Sequence, residues 1–108
     1  MAIYIGSRHT FLFDIRNRTG AINLENAFNM KVLIQTPSRV TIEQTNNIHI
    51  VGENNSTVRW DCPMGLINQV GRWYLQLYCE LPPSVDFPDG WHGYSSQTAI
   101  TVERPLGG

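Results

Sequence analysis

The sequence predicts an all-β domain, an antiparallel β-sandwich of about seven or eight short strands with Greek-key connections. Two observations carry this reading and a third completes it. Apolar and polar residues alternate with period two along most of the chain, as they do when one face of a strand is buried. Turn-forming clusters interrupt the alternation about every 8–12 residues, the spacing of a sandwich or barrel. No segment holds a helical period for more than about one turn, too little for a stable helix.

The clearest strand is Gly71 to Leu81, where Trp73, Leu75, Leu77, Cys79 and Leu81 alternate with Arg72, Tyr74, Gln76, Tyr78 and Glu80. It opens on a glycine and closes at Pro82-Pro83. Its apolar face is the expected floor of the core. Against it should pack Phe11-Phe13-Ile15, Phe28-Met30-Val32-Ile34 and Val58-Trp60-Cys62, the apolar positions of three further alternating runs. Shorter strands are expected at Val40 to Glu43, Ile48 to Val51 and Ala99 to Glu103. Residues 1–9 read as a lead-in, and Ala21 to Ala27 as a short strand or an irregular connection. Turns are expected at Asn17-Arg18-Thr19-Gly20, Thr36-Pro37-Ser38, Thr45-Asn46-Asn47 and Gly52 to Ser56, where Gly, Pro, Asn and Ser concentrate. The connection from Pro82 to Ser96 is long for a compact domain and contains the turn signal Pro88-Asp89-Gly90.

The chain of 108 residues is expected to form a single domain over 1–108 with short flexible ends. Charged residues make up 16% and the formal net charge is −1, which gives no electrostatic footprint for nucleic acid or an anionic membrane. No stretch approaches the roughly 20 apolar residues of a membrane span. Met1-Ala2-Ile3-Tyr4 lacks the basic-then-apolar order of a secretory leader, so the expected site of synthesis is a cytoplasm. Cys62 and Cys79 both fall in alternating apolar registers and read as buried thiols. A disulfide between them requires partner strands and an oxidising setting.

The chemistry-bearing residues do not assemble into a motif. His9, His49 and His92 are far apart and none has metal-ligand spacing with Cys, Asp or Glu. Cys79 lies between Leu77 and Leu81, where a thiol is inert. No glycine-rich phosphate loop or nucleophile elbow occurs, and no carboxylate pair stands out. The sequence assigns no catalytic, cofactor-binding or metal-binding residue. The residues it singles out are Phe87, Trp91, His92 and Tyr94, aromatic groups in the long connection that suit a protein contact, the alternative for Trp91 being that it folds back to cap the end of the sandwich.

The order of segments resembles a known family. The chain has Tyr4-Ile5-Gly6-Ser7, then Phe11-Leu12-Phe13-Asp14-Ile15, an Ile22-Asn23-Leu24 step, the strand Lys31-Val32-Leu33-Ile34-Gln35-Thr36-Pro37 and, late, Gly71-Arg72-Trp73-Tyr74-Leu75-Gln76-Leu77. This rhythm is similar to that of small immunoglobulin-like β-sandwich proteins of tailed bacteriophages, which include head auxiliary (decoration) proteins and the amino-terminal adaptor domains of upper baseplate proteins. The resemblance implies a non-enzymatic virion protein, made in the host bacterial cytoplasm. It would bind other virion proteins, the major capsid or baseplate protein, in many copies. It brings no catalytic residues and no cofactor. The alternative is a carbohydrate- or host-receptor-binding module, with Trp91, Tyr94 and Tyr74 or Tyr78 as a stacking platform.

Overall fold

The structure, a computed structural model, describes residues 2–17, 20–52 and 55–106. Among these there is no helix, and the protein is all-β. The strands in chain order are β1 (Ala2–Tyr4), β2 (Thr10–Asp14), β3 (Arg16–Asn17), β4 (Gly20–Ala21), β5 (Phe28–Gln35), β6 (Thr41–Gln44), β7 (Ile48–Val51), β8 (Thr57–Asp61), β9 (Gly71–Leu81), β10 (Trp91–Tyr94) and β11 (Thr98–Glu103). Of the turns expected from sequence, Arg18 and Thr19 in one and Glu53 and Asn54 in another lie outside the described residues, as do Met1, Gly107 and Gly108 at the ends.

The spine is β9. Every second residue from Trp73 to Leu81 is buried, so the alternation in the sequence is the alternation in space. One flank of β9 pairs antiparallel with β5, with Val32 opposite Leu77 and Ile34 opposite Leu75. The other flank is shared. β11 covers Gly71 to Leu75 and β10 covers Tyr78 to Leu81. With β6 beyond β5 and β1 beyond β11, this makes a six-stranded sheet. A second sheet runs β2-β8-β7, and β3 and β4 form a small hairpin. The buried faces of both large sheets feed one apolar cluster, in which Trp60 stacks on Phe11 with ring centroids 5.7 Å apart. The Trp73 indole N–H is satisfied by the Gln69 carbonyl at 3.0 Å. At the start of β9, Gly71 has φ +134°, and a side chain there would meet Pro37 at 2.9 Å. Only glycine lets the strand begin beneath that turn.

Four features depart from the sequence reading. The pairing is mixed rather than purely antiparallel, because β1 runs parallel to β11 with Ile3 opposite Val102. The two strands are far apart in sequence, so no hairpin turn dictates their direction. Ile3 is buried opposite Val102, so residues 2–4 of the amino-terminal lead-in form a sheet strand. The strands also outnumber the expected seven or eight. The additional ones, β1, β3, β4 and β10, have two to four residues, too few to display a period. Finally, Phe28 is not in the core. Between Phe28 and Lys31 the β5–β9 register shifts, with Asn29 in the left-handed region at φ 52°. Three residue steps on β5 then match two on β9, a bulge that moves Phe28 to the opposite face.

Both cysteines are buried free thiols, Cys62 just after β8 and Cys79 in β9. Burial pushes each thiol up to about 11 from an ordinary 9.0, with the Glu80 charge a lesser contribution at Cys79.

Candidate functional site

The four residues singled out from sequence lie close together in the chain, but the structure divides them between two surfaces. The connection from Pro82 to Ser96 contains β10, which folds back on the end of β9 as a hairpin. Its loop is closed by its own hydrogen bonds. The Phe87 carbonyl accepts from the amides of Ser84 (2.8 Å) and Gly90 (2.9 Å), and the Ser84 hydroxyl accepts from the Phe87 amide at 3.2 Å. The second of these carbonyl bonds closes the Pro88-Asp89-Gly90 turn that the sequence signals.

Strand alternation then sorts the side chains. Trp91 sits opposite Leu81 and Gly93 opposite Cys79, on the core side. The Trp91 indole lies over Gly93, where a β-carbon would come within 2.6 Å of its ring, and it meets Phe87 with ring centroids 6.1 Å apart. Trp91 and Phe87 are thus half-buried caps on the core. His92 sits opposite Glu80 and Tyr94 opposite Tyr78, on the outer face, where both are exposed.

The outer face of β5, β9 and β10 brings Tyr94 and Tyr78 together, a pair the alternative sequence reading grouped, and adds Phe28 and Lys31, which no sequence reading placed there. The rings of Tyr94 and Tyr78 are 5.1 Å apart and tilted by 52°, and His92 approaches Tyr78 at 6.5 Å. Lys31, paired with Tyr78 across the β5–β9 ladder, holds its ammonium 5.9 Å from that ring and 4.0 Å from a Glu43 oxygen. Phe28 enters the same row opposite Glu80 and is 50% exposed; Tyr94 is 55% exposed. Asn29, in the bulge, donates its amide to Glu80 at 2.5 Å. The Tyr78 phenol is raised above its ordinary 10.0, first by loss of surrounding water and then by the neighbouring Glu80 carboxylate.

The signal for Tyr78 was present in the sequence, since it is an aromatic at a solvent-facing position of a clean alternation. Phe28 had only the faint signal of an asparagine after it, a residue type that tolerates the left-handed conformation. Tyr74 shares the outer face but is four residues from Tyr78 along β9, about 13 Å at ~3.3 Å per residue. It packs instead with the Arg72 guanidinium, 5.8 Å from its ring.

The break between β10 and β11 is held by Ser95, which is 5% exposed. Its hydroxyl accepts the Leu77 amide at 2.9 Å and donates to the Ser96 carbonyl, while its own amide donates to the Leu77 carbonyl at 2.9 Å. A side chain therefore supplies the ladder bond that β9 lacks where its two short partners meet.

Such a face offers rigid aromatic surface with one cation (Lys31), two carboxylates (Glu43 and Glu80) and an imidazole (His92) at its margins. Among the described residues no group of three or more His, Cys, Asp or Glu side chains is placed to hold a metal ion. Comparison of the chain with protein-family models, with curated proteins and with solved structures found no match.

Proposed function

We propose that this chain is a structural binding module, an immunoglobulin-like two-layer β-sandwich that attaches to another protein through the outer face of β5, β9 and β10. The setting we propose is the virion of a tailed bacteriophage. There the chain would serve without enzymatic activity, as an auxiliary protein on the capsid shell or as a tail or baseplate component. The virion setting rests on the rhythm of segments in the sequence. The binding role rests on one observation, the exposure of Phe28, His92 and Tyr94 around the half-buried Tyr78 on the outer face of paired strands.

Aromatic side chains bury large area for little lost rotamer freedom, and strands hold them in place before binding. A few such anchors account for most of the energy of a typical contact. Where many copies attach to one particle, modest individual contacts suffice. A flat platform for stacking sugars is disfavoured here, because Tyr78 and Tyr94 are tilted against each other and Trp91 is turned to the core side.

The test is co-sedimentation of the purified chain with capsids and with tails. Retention on one of them is expected, and a Phe28→Ala/Tyr94→Ala variant should bind about tenfold or more weakly while its circular dichroism is unchanged. A chain that associates with neither particle, or a variant that binds undiminished, overturns the proposal. Binding on a glycan array that depends on Tyr94 would replace it with the carbohydrate reading.

A further inference from the structure

One end of the molecule carries a cleft of about 750 Å3 between the 21–26 segment and the 82–87 loop. Ile22 and Leu81 are buried at its floor with half-buried Phe87, and the exposed residues Glu25 and Asp86 line its rim. Its walls are pinned by their own hydrogen bonds. Leu24 donates its amide to the Asn55 carbonyl at 2.7 Å, the Asn23 side chain accepts the Glu25 amide at 2.8 Å, and Ser84 and Phe87 bond each other. The cleft is therefore formed before anything enters it.

A matching segment leaves the opposite end of the same sheet. β11 runs antiparallel to β9 with Val102 opposite Gly71, so the chain exits past the start of β9, while the cleft sits at its end, Leu81. The eleven residues of β9, at ~3.3 Å each, separate the two by about 33 Å. What emerges is Arg104-Pro105-Leu106, all exposed, the leucine completely so. Pro105 fixes its own φ and biases Arg104 to an extended conformation, so a cation and an apolar side chain are presented two residues apart on one exposed segment. That pair complements two carboxylates over an apolar floor. Three residues reach only about 10 Å, so they cannot fill the cleft of their own molecule.

We propose that Arg104-Pro105-Leu106 of one copy docks in the cleft of the next, with Arg104 against Glu25 and Asp86 and Leu106 on Ile22, Leu81 and Phe87. The contact is heterologous, so copies link head to tail into rows or rings. One leucine and one exposed ion pair give a weak joint, sensitive to salt, that becomes effective where copies are concentrated on a shared surface. These residues are separate from the aromatic face, so the two readings stand or fall independently.

The test is sedimentation equilibrium of the full chain over a wide concentration range. The parent is expected to show average mass rising with concentration and falling with added salt. Leu106→Ala should weaken association about tenfold or more. Arg104→Glu alone and Glu25→Arg/Asp86→Arg alone should each stay monomeric, because tail and cleft then carry like charges. Their equimolar mixture should associate again, since each tail then meets a cleft of opposite charge. All substitutions are at exposed positions, and circular dichroism confirms the fold of each variant. Phe28→Ala/Tyr94→Ala should associate like the parent. A parent that stays monomeric at every concentration, association that ignores these variants, or a mixture that fails to recover it would each overturn the proposal.

Discussion

Replacing Gly93 with alanine puts a methyl group where the Trp91 indole lies. The β-carbon would sit 2.6 Å from two atoms of the ring, far inside the ~3.5–4.0 Å at which carbon atoms rest in contact. The ring must lift, and lifting it separates Trp91 from Phe87 and from the core beneath. An opposing effect comes from the backbone. Gly93 is not in the left-handed region, so alanine fits its φ and restricts the unfolded chain, a gain of about 0.4–1 kcal/mol. Overpacking of this kind costs about 1–3 kcal/mol, so the clash wins and a net loss of roughly 1–2 kcal/mol is expected. Urea denaturation followed by far-ultraviolet circular dichroism measures it without relying on the fluorescence of the displaced ring. The decisive comparison is the same substitution made in Trp91→Ala. With the ring gone, alanine at 93 should stabilise by the backbone gain alone, so the effect changes sign. A Gly93→Ala protein as stable as the parent, or an equal cost in both backgrounds, would refute the packing of Trp91 on Gly93.

Three further outcomes are expected. Leu77→Ala removes a fully buried side chain of β9 and should cost about 2–5 kcal/mol in chemical denaturation; a change under about 1 kcal/mol would show that Leu77 is not in the core. Ser95→Ala leaves the Leu77 amide without its acceptor and should cost about 1–3 kcal/mol, with faster hydrogen exchange at that amide as the local readout. The folded state keeps the Cys62 and Cys79 protons to about pH 11, whereas ordinary thiols release theirs near 9.0. Stability from the thiols is therefore level below pH 9 and declines as pH rises toward 11, and a Cys62→Ala/Cys79→Ala variant should show a shallower decline over that window.

Much of the buried architecture was legible in the residues. Period-two alternation along 71–81, 11–15 and 58–62 marks side chains that do meet in one core, because a strand of five or more residues repeats its pattern often enough to be read. The candidate site was legible only in part. The aromatic character of 87–94 is visible in the sequence, but its division is not. Trp91 and Phe87 cap the core while His92 and Tyr94 face outward, because β10 pairs with the edge of β9 in a register that puts Trp91 opposite Leu81. Nothing within four residues that include a glycine announces that pairing.

The sequence by itself determined that this is an all-β chain and which face of β2, β8 and β9 is buried. That information is local, carried by side chains two positions apart. The tertiary structure alone decided that β1 runs parallel to β11 and that β10 exists. It also decided that the bulge at Asn29 turns Phe28 outward to join Tyr78 and Tyr94. Each depends on which backbone lies alongside, and hydrogen bonds to a distant strand leave no period in the residues that make them.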